Sequence, residues 1–288
     1  MRWRDLRRSS NVRDYRGRRA GIGIPLSIGR GGRRIGGGLG VIVLLVVVFL
    51  IGGPEALNFL LGGGTPAPSG QQASRPLAAS DEEGQFVAAI LGSTEDVWGS
   101  LFADSGERYA PPELTLFSGA VQSACGYASA AVGPFYCPAD RLVYLDTAFF
   151  DDLARMGGAG DFAQAYVIGH EIGHHVQNLL GTATEVRSAQ QGSNETAANR
   201  LQVAMELQAD CYAGVWAHHA NRTQQVLEPG DVQEGLAAAA AIGDDRLQRS
   251  AGRSVTPDSF THGSSEQRQR WLQTGLQSGD PAACDTFN

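Results

Sequence analysis

The chain has 288 residues, of which 42% are hydrophobic and 18% are charged, and its formal net charge is −7. This is the balance of an ordinary globular protein, with enough chain for one or two domains and a sizeable core. The charge is unevenly divided, because residues 1–34 hold eleven arginines against two acids and the remainder is strongly acidic. An acidic body repels phosphate, which excludes nucleic acid as an expected partner.

An apolar segment follows the basic arm. Residues 35–54 contain no charged side chain, and Val41 to Ile51 consist of Val, Leu, Ile and Phe. About 20 apolar residues span a bilayer as a helix, so the pattern predicts one transmembrane anchor over 35–54. The alternatives are a cleaved signal peptide with a long basic region and a buried core helix.

The distribution of charge predicts an orientation. Arginine-rich flanks stay in the cytoplasm, so we expect a cytoplasmic arm over 1–34 and an extracytoplasmic body in a single-pass protein of the cell membrane. The arm either touches anionic lipid headgroups or is a solvated tail. Residues 55–80 are rich in Gly, Pro and Ser, which is typical of a linker, and the body is expected over 81–288.

The four cysteines all lie in the expected body, at Cys125, Cys137, Cys211 and Cys284. An even number outside the cytoplasm favours two disulfides. Of the three possible pairings we prefer Cys125–Cys137, which closes a short loop, with Cys211–Cys284, which would hold the C-terminal tail on a helix. The alternative, a cysteine zinc site, lacks any C-x-x-C spacing.

The body is predicted to be an α+β fold, mainly helical with a small sheet. An apolar helical stripe covers 84–103, and RLVYLD at 141–146 is the clearest strand. Asp161 is a good N-cap for a helix that ends before Gly181. The remaining predicted elements are a strand over 113–122 and helices over 147–156, 196–220, 231–243 and 264–277.

The sequence His-Glu-Ile-Gly-His begins at His170, well inside a predicted helix, and has the H-E-x-x-H pattern. Residues four apart lie on one helix face, so His170 and His174 can point at one zinc ion that keeps a position open for water. Glu171 can take a proton from the zinc-activated water. Gly169 and Gly173 each cost about 1 kcal/mol relative to Ala, which indicates close packing of another backbone. The alternative is a surface helix with incidental histidines.

A catalytic zinc site needs a third protein ligand. Glu206 and Asp210 lie four residues apart on one face of a predicted helix with many apolar residues. Glu206 is predicted to complete a His-His-Glu set. Asp210 is predicted to accept the free ring N–H of a ligating histidine, which fixes the tautomer of that ring. The alternative is that both acids belong to a solvated helix face.

Other histidines of the body are expected to be structural. His175 points about 100° away from His174 on a helix. His218 and His219 lie about three turns beyond Glu206 and are not expected to be metal ligands.

Four segments together resemble a known family, the bacterial neutral zinc metallopeptidases. They are CGYASAAVGPFYCPADRLVYLD at 125–146, GHEIGHHVQ at 169–177, MELQADCYAG at 205–214 and THGSSEQR at 261–268. The resemblance covers the chain from about residue 110 to the C-terminus and leaves the arm and the linker outside. It implies a zincin-like fold, with a small sheet over the active-site helix, and a gluzincin arrangement in which Glu206 matches the third ligand.

The resemblance also implies how a peptide or protein substrate would bind. Such substrates commonly add to an edge strand by main-chain pairing, and residues 141–145 are the candidate strand. A downstream His or Tyr often stabilises the developing oxyanion, for which His262 is the candidate and Tyr127 and Tyr212 are alternatives. His262 has the competing possibility of capping the last helix. Glu266 and Arg268 are expected to form a salt bridge or a helix cap.

These observations predict a membrane-anchored zinc metallopeptidase that hydrolyses peptide bonds by a zinc-activated water, with Glu171 as general base. One alternative is a non-catalytic, membrane-tethered module that binds zinc or a partner. Glu171 argues against it, because a purely structural zinc site has no need of that acid. The other alternative is a hydrolase that acts on a non-peptide amide of the cell envelope.

Overall fold

The computed structural model describes residues 1–17, 74–129 and 132–288, and within them it contains eight α-helices and six strands. The predicted mainly helical fold with a small sheet is present. The helices are α1 (Glu82–Asp104), α2 (Ala148–Arg155), α3 (Asp161–Leu180), α4 (Thr182–Gln191), α5 (Glu195–Gln224), α6 (Asp231–Ala241), α7 (Asp244–Ser250) and α8 (Ser265–Ser278). The strands are β1 (Val12–Asp14), β2 (Glu113–Phe117), β3 (Ala120–Ser123), β4 (Gly126–Ser129), β5 (Phe135–Cys137) and β6 (Leu142–Asp146).

Four strands form the main sheet, in the order β1-β2-β6-β5. Strands β1, β2 and β6 run parallel, and β5 runs antiparallel to β6. Strand β6 therefore has a partner on each side, and β5 is the edge strand that contacts α3. The expectation that residues 141–145 form a free edge was wrong, because an apolar run marks a strand without indicating its neighbours.

The predicted strand over 113–122 is divided in two. Strand β2 ends at Phe117, and the chain turns at Gly119, whose φ of 78° favours glycine. The Gly119 N–H donates to Asp146 at 2.7 Å, which fixes this turn to the end of β6. Strands β3 and β4 then form a separate antiparallel hairpin.

The prediction of a transmembrane helix before the body is corrected by the structure. In the part of the chain described, no helix is both long and apolar enough to cross a membrane. The longest helices, α1, α3 and α5, all carry ionisable side chains along their length. The predicted anchor over 35–54 itself lies outside the described residues.

The first part of the basic arm, residues 1–17, packs on the body. Strand β1 pairs with β2, and the ring of Trp3 lies edge-on to Phe86 of α1, with the ring centroids 5.4 Å apart. Arg7 forms a salt bridge of 2.8 Å with an acid of α1. Residues 1–17 are therefore part of the same packed unit as the body.

Helix α3 carries the H-E-x-x-H sequence and packs against α1, α5 and α6. Its N-cap is Gly160, not Asp161 as predicted, and glycine has no side chain that could cap the helix. Glu234 of α6 instead accepts a hydrogen bond of 3.1 Å from the Phe162 N–H. The helix ends at Leu180, before Gly181 as predicted, and Gly181 adopts the left-handed conformation.

Glycines bring the backbones of three helices into close contact. A Cβ on Gly173 of α3 would lie 2.8 Å from the carbonyl oxygen of Ala209 on α5, which confirms the close packing expected at this glycine. A Cβ on Gly275 of α8 would overlap the carbonyl oxygen of Cys211 on α5. Helices α3 and α8 can therefore both lie directly on α5.

The body contains the two predicted disulfides, one across a short loop and one at its C-terminal end. Cys125 is bonded to Cys137 and Cys211 to Cys284, and no free cysteine occurs in the described residues. The second disulfide holds the short 3-10 turn at Pro281–Cys284 against α5. The cysteines therefore stabilise the fold and leave metal binding to other residues.

We predict that Gly275→Ala lowers the free energy of unfolding by about 1–3 kcal/mol, because the added methyl group would push α8 away from α5. Gly99→Ala on α1 is the control, since nothing lies within 4 Å of its Cβ position. The control should raise stability by about 0.5–1 kcal/mol, the usual advantage of Ala over Gly in a helix. Urea unfolding measures both, and equal effects would contradict the close crossing.

Candidate metal centre

Three donor atoms meet between α3 and α5. His170 Nε2 lies 3.1 Å from His174 Nε2 and 3.2 Å from Glu206 Oε2, and His174 Nε2 lies 3.6 Å from the same oxygen. A tetrahedral zinc ion with bonds of about 2.0–2.1 Å holds its ligand atoms roughly 3.3 Å apart. The three predicted ligands therefore fit zinc in chemistry and in spacing.

Asp210 lies behind His170, in the place predicted for it. Its Oδ1 is 2.8 Å from His170 Nδ1, so the ring donates there and keeps Nε2 free for a metal. Asp210 is fully buried and also accepts hydrogen bonds from Tyr166 at 2.6 Å and from two guanidinium nitrogens of Arg268 at 2.8 Å. Asp210 therefore has four hydrogen-bond contacts, three at Oδ1 and one at Oδ2.

The sequence suggested a salt bridge or a helix cap for Arg268, and the structure shows a salt bridge whose partner was not identified from the sequence. The side chain is 2% exposed and pairs with Asp210, 58 positions earlier in the chain. A buried carboxylate requires a cation or several donors, so the apolar residues of the helix that carries Asp210 were the available signal. Tyr166 was also missed, although it lies one turn before His170 on α3.

Two glutamines complete the contacts of the ligand set. Gln202 Nε2 donates to Glu206 Oε1 at 2.9 Å, and Gln177 Oε1 accepts from His174 Nδ1 at 2.8 Å. Each glutamine lies three or four residues from the ligand that it contacts, on the same helix face. That spacing could have identified both residues from the sequence.

The electrostatics of the centre follow from these contacts. Burial lowers the pKa of His170, but the negative charge of Asp210 outweighs this and raises the pKa to about 10. Burial raises the pKa of Asp210, but Arg268 and His170 outweigh it and lower the pKa to about 2. Burial likewise opposes ionisation of Glu206, yet the histidines hold its pKa well below the ordinary value. Without metal, Asp210 and Glu206 are therefore ionised at neutral pH and His170 is protonated.

Glu171 is buried next to the first ligand, His170, but it is neither a metal ligand like Glu206 nor the partner of a ligand like Asp210. Burial raises its pKa, and His170 and His174 partly oppose that shift. The backbone of Tyr136 on β5 hydrogen bonds to Glu171. The predicted general base thus lies between the two histidines and the edge strand of the sheet.

These residues open into a cleft of about 590 Å³. Its floor includes His170, Glu171, His174 and Glu206, and its walls come from β5, α4, α5 and the segment around residue 262. Much of the lining is apolar, through side chains such as Phe135, Phe149, Met156, Val186, Ile242 and Leu247.

Of the three candidates for stabilising an oxyanion, only His262 lines this cleft. Its side chain is 52% exposed, and its Nδ1 lies 3.2 Å from Asp244 Oδ1. Tyr127 is 62% exposed on the β3–β4 hairpin. Tyr212 is buried against Trp98, with ring centroids 5.4 Å apart.

The remaining histidines make structural contacts, as expected. His175 Nε2 donates to the Ala110 carbonyl at 2.7 Å, and its Nδ1 accepts from the Tyr136 hydroxyl at 3.1 Å. Burial lowers the pKa of His175 to about 4, so the ring is neutral and joins β5 to α3. His218 and His219 bond to backbone carbonyls of α8 and the turn that follows it.

Comparison with known proteins agrees with this geometry. A family model described as "Putative neutral zinc metallopeptidase" matches residues 1–287, including the arm that the four sequence segments left outside. The uncharacterised protein YpfJ of Escherichia coli K12 is 48% identical over 291 residues, covering 100% of this chain and 99% of its own length. The uncharacterised Mycobacterium bovis protein Mb2605 is 47% identical over 213 residues, 70% of each chain. No solved structure matches the chain.

We predict that zinc binding at neutral pH releases about one proton, because the metal displaces the Nε2 proton of His170, while the Nδ1 proton stays in its hydrogen bond to Asp210. Since the pKa of His170 is raised to about 10, zinc affinity should fall as the pH is lowered from 10 towards 7. Calorimetric titration with zinc, in two buffers of different ionisation enthalpy, measures the released proton.

Asp210→Asn is the informative variant for this titration. It removes the charge that raises the pKa of His170, so it should release fewer protons and weaken zinc binding about 10–100-fold. Heats of binding that do not depend on the buffer, in the parent protein, would contradict the electrostatic account.

Proposed function

Because the chain belongs to the neutral zinc metallopeptidase family, we propose that it hydrolyses peptide bonds at the centre of His170, His174 and Glu206. The observation that carries the proposal is the position of Glu171. This buried carboxylate lines the same cleft as the three ligands without belonging to their set. A zinc site that only stabilises a fold has no use for such a group, whereas hydrolysis requires a base beside the attacking water.

His170, His174 and Glu206 would hold the zinc, which when bound would supply Lewis acidity to the scissile carbonyl and to the attacking water. Glu171 accepts the proton of the attacking water and passes it to the departing amine. Its burial raises its pKa, which strengthens it as a base relative to a solvated carboxylate. Asp210 and Gln202 hold His170 and Glu206 in place while this proton moves.

The proposed substrate is an extended peptide that pairs with β5. This strand is the edge of the main sheet, lines the cleft and contacts α3. Main-chain pairing to an edge strand places a peptide bond over the residues beneath it. The apolar lining of the cleft favours apolar side chains near that bond, and His262 is proposed to donate to the oxyanion that develops there.

The two disulfides support a location for the body in an oxidising compartment, outside the cytoplasm. Residues 1–17 would lie in the same compartment, since β1 is part of the sheet. Labelling the native protein with a membrane-impermeant reagent would locate both parts, and protection of the whole body in intact cells would contradict the proposal.

The direct test of the proposed function is cleavage of a diverse peptide library by the zinc-loaded protein. Glu171→Gln should reduce the single-turnover rate by about 10²–10⁴-fold, because it removes the base, and should retain zinc. Glu185→Gln is the matched control, since this exposed glutamate of α4 lies outside the cleft lining and its loss should leave the rate unchanged.

Other outcomes would favour a different function. Bound zinc without cleavage by the parent protein would favour a binding module or an enzyme acting on a non-peptide amide of the envelope. In the same assay His262→Ala should lower the turnover rate about 10²-fold, and an unchanged rate would remove His262 from the mechanism.

A further inference from the structure

The two histidines of the centre are held by chemically different groups. His170 Nδ1 faces the carboxylate of Asp210, whereas His174 Nδ1 faces the neutral side-chain oxygen of Gln177 at 2.8 Å. Gln177 has an exposed fraction of 0%. An amide oxygen only accepts, so the proton lies on His174 Nδ1 and the lone pair of Nε2 points to the other ligands.

The orientation of the Gln177 amide is determined by its other end. Gln177 Nε2 donates to the backbone carbonyl of Met205 at 2.7 Å and to Gln208 Oε1 at 3.0 Å. A backbone carbonyl cannot donate, so a flipped amide would place two oxygens against each other. The amide nitrogen therefore lies towards α5, and the oxygen lies towards His174.

Gln208 is oriented in the same way by the C-terminal turn. Its Nε2 donates to the backbone carbonyl of Cys284 at 3.0 Å, and this bond fixes its oxygen as the acceptor for Gln177. Cys284 is held on α5 by its disulfide to Cys211. A buried series of hydrogen bonds thus runs from His174 through Gln177 and Gln208 to the Cys284 carbonyl, and each group donates to the next.

We propose that Gln177 is a positioning residue that fixes the metal-binding tautomer of His174, and that the C-terminal turn orients it through Gln208. This inference rests on the zinc site proposed above. A neutral group suits the position, because Glu171, Glu206 and Asp210 already place three carboxylates around the centre. The end of the chain, 110 positions from His174, thereby contributes to metal binding.

The test uses the full-length protein labelled with ¹⁵N-histidine and a chelator competition assay for zinc. In the zinc-loaded parent, hydrogen-bonded Nδ1–H signals are expected from His170 and His174. Gln177→Leu should remove the signal of His174, retain that of His170 and raise the zinc dissociation constant about 10–100-fold. Gln208→Met should raise it by a smaller factor, because the Gln177 amide keeps only the Met205 carbonyl.

Ser93→Ala is the matched control for lost buried hydrogen bonds. It leaves the buried Trp216 Nε1–H without its acceptor, and neither residue lines the cleft. The control should lower the thermal midpoint but leave the zinc dissociation constant and both histidine signals unchanged. The control thus separates a general loss of stability from a loss at the metal centre.

The inference is overturned if Gln177→Leu keeps both signals and a zinc dissociation constant within about twofold of the parent. If Gln208→Met has the zinc dissociation constant of the parent, the C-terminal turn does not orient Gln177. If Gln177→Leu does not fold, the zinc dissociation constant of Gln208→Met tests the inference in its place. Failure of the parent itself to bind zinc would instead refute the proposed function.

Discussion

The structure depends on one buried ionic contact, in which Asp210 lies between Arg268 and His170. Taking a carboxylate out of water is costly, and only a cation and further donors in good geometry compensate for it. Asp210 has four such contacts, and they come from α3 and α8 while the acid itself lies on α5. The same interaction therefore joins three helices and sets the tautomer of a metal ligand.

The glycines make this contact possible. Arg268 reaches Asp210 because α8 lies against α5 at Gly275, and the ligands on α3 reach Glu206 because Gly173 meets the backbone of α5. Side chains at either glycine would separate helices whose polar groups are paired across the crossing. The cost of glycine in a helix is thus offset by the packing that forms the centre.

The parts of the centre that could be predicted from the sequence were local or compositional. His170 with His174, and Glu206 with Asp210, are pairs at a spacing of four, so helix geometry alone places each pair on one face. The disulfide pairs followed from four cysteines and a preference for a short loop. Gln177 and Gln202 have the same kind of spacing and were open to the same argument.

The parts that could not be predicted depend on contacts between distant segments. Nothing near Arg268 indicates that its partner is Asp210, and nothing within residues 141–146 indicates that β5 covers their free side. Strand β1 has three residues and lies in an arginine-rich arm, where charge suggested a solvated or lipid-bound tail. Its pairing with β2 required knowledge of the whole sheet.

The central claim is tested most directly by zinc affinity and urea unfolding of Arg268→Leu, alone and combined with Asp210→Leu. The account predicts that Arg268→Leu lowers the free energy of unfolding by about 3–5 kcal/mol, because it leaves a buried charge unpaired. The double variant should recover most of this stability and still bind zinc about 10–100-fold more weakly than the parent. Parental zinc affinity in the double variant, or parental stability in Arg268→Leu, would contradict the account.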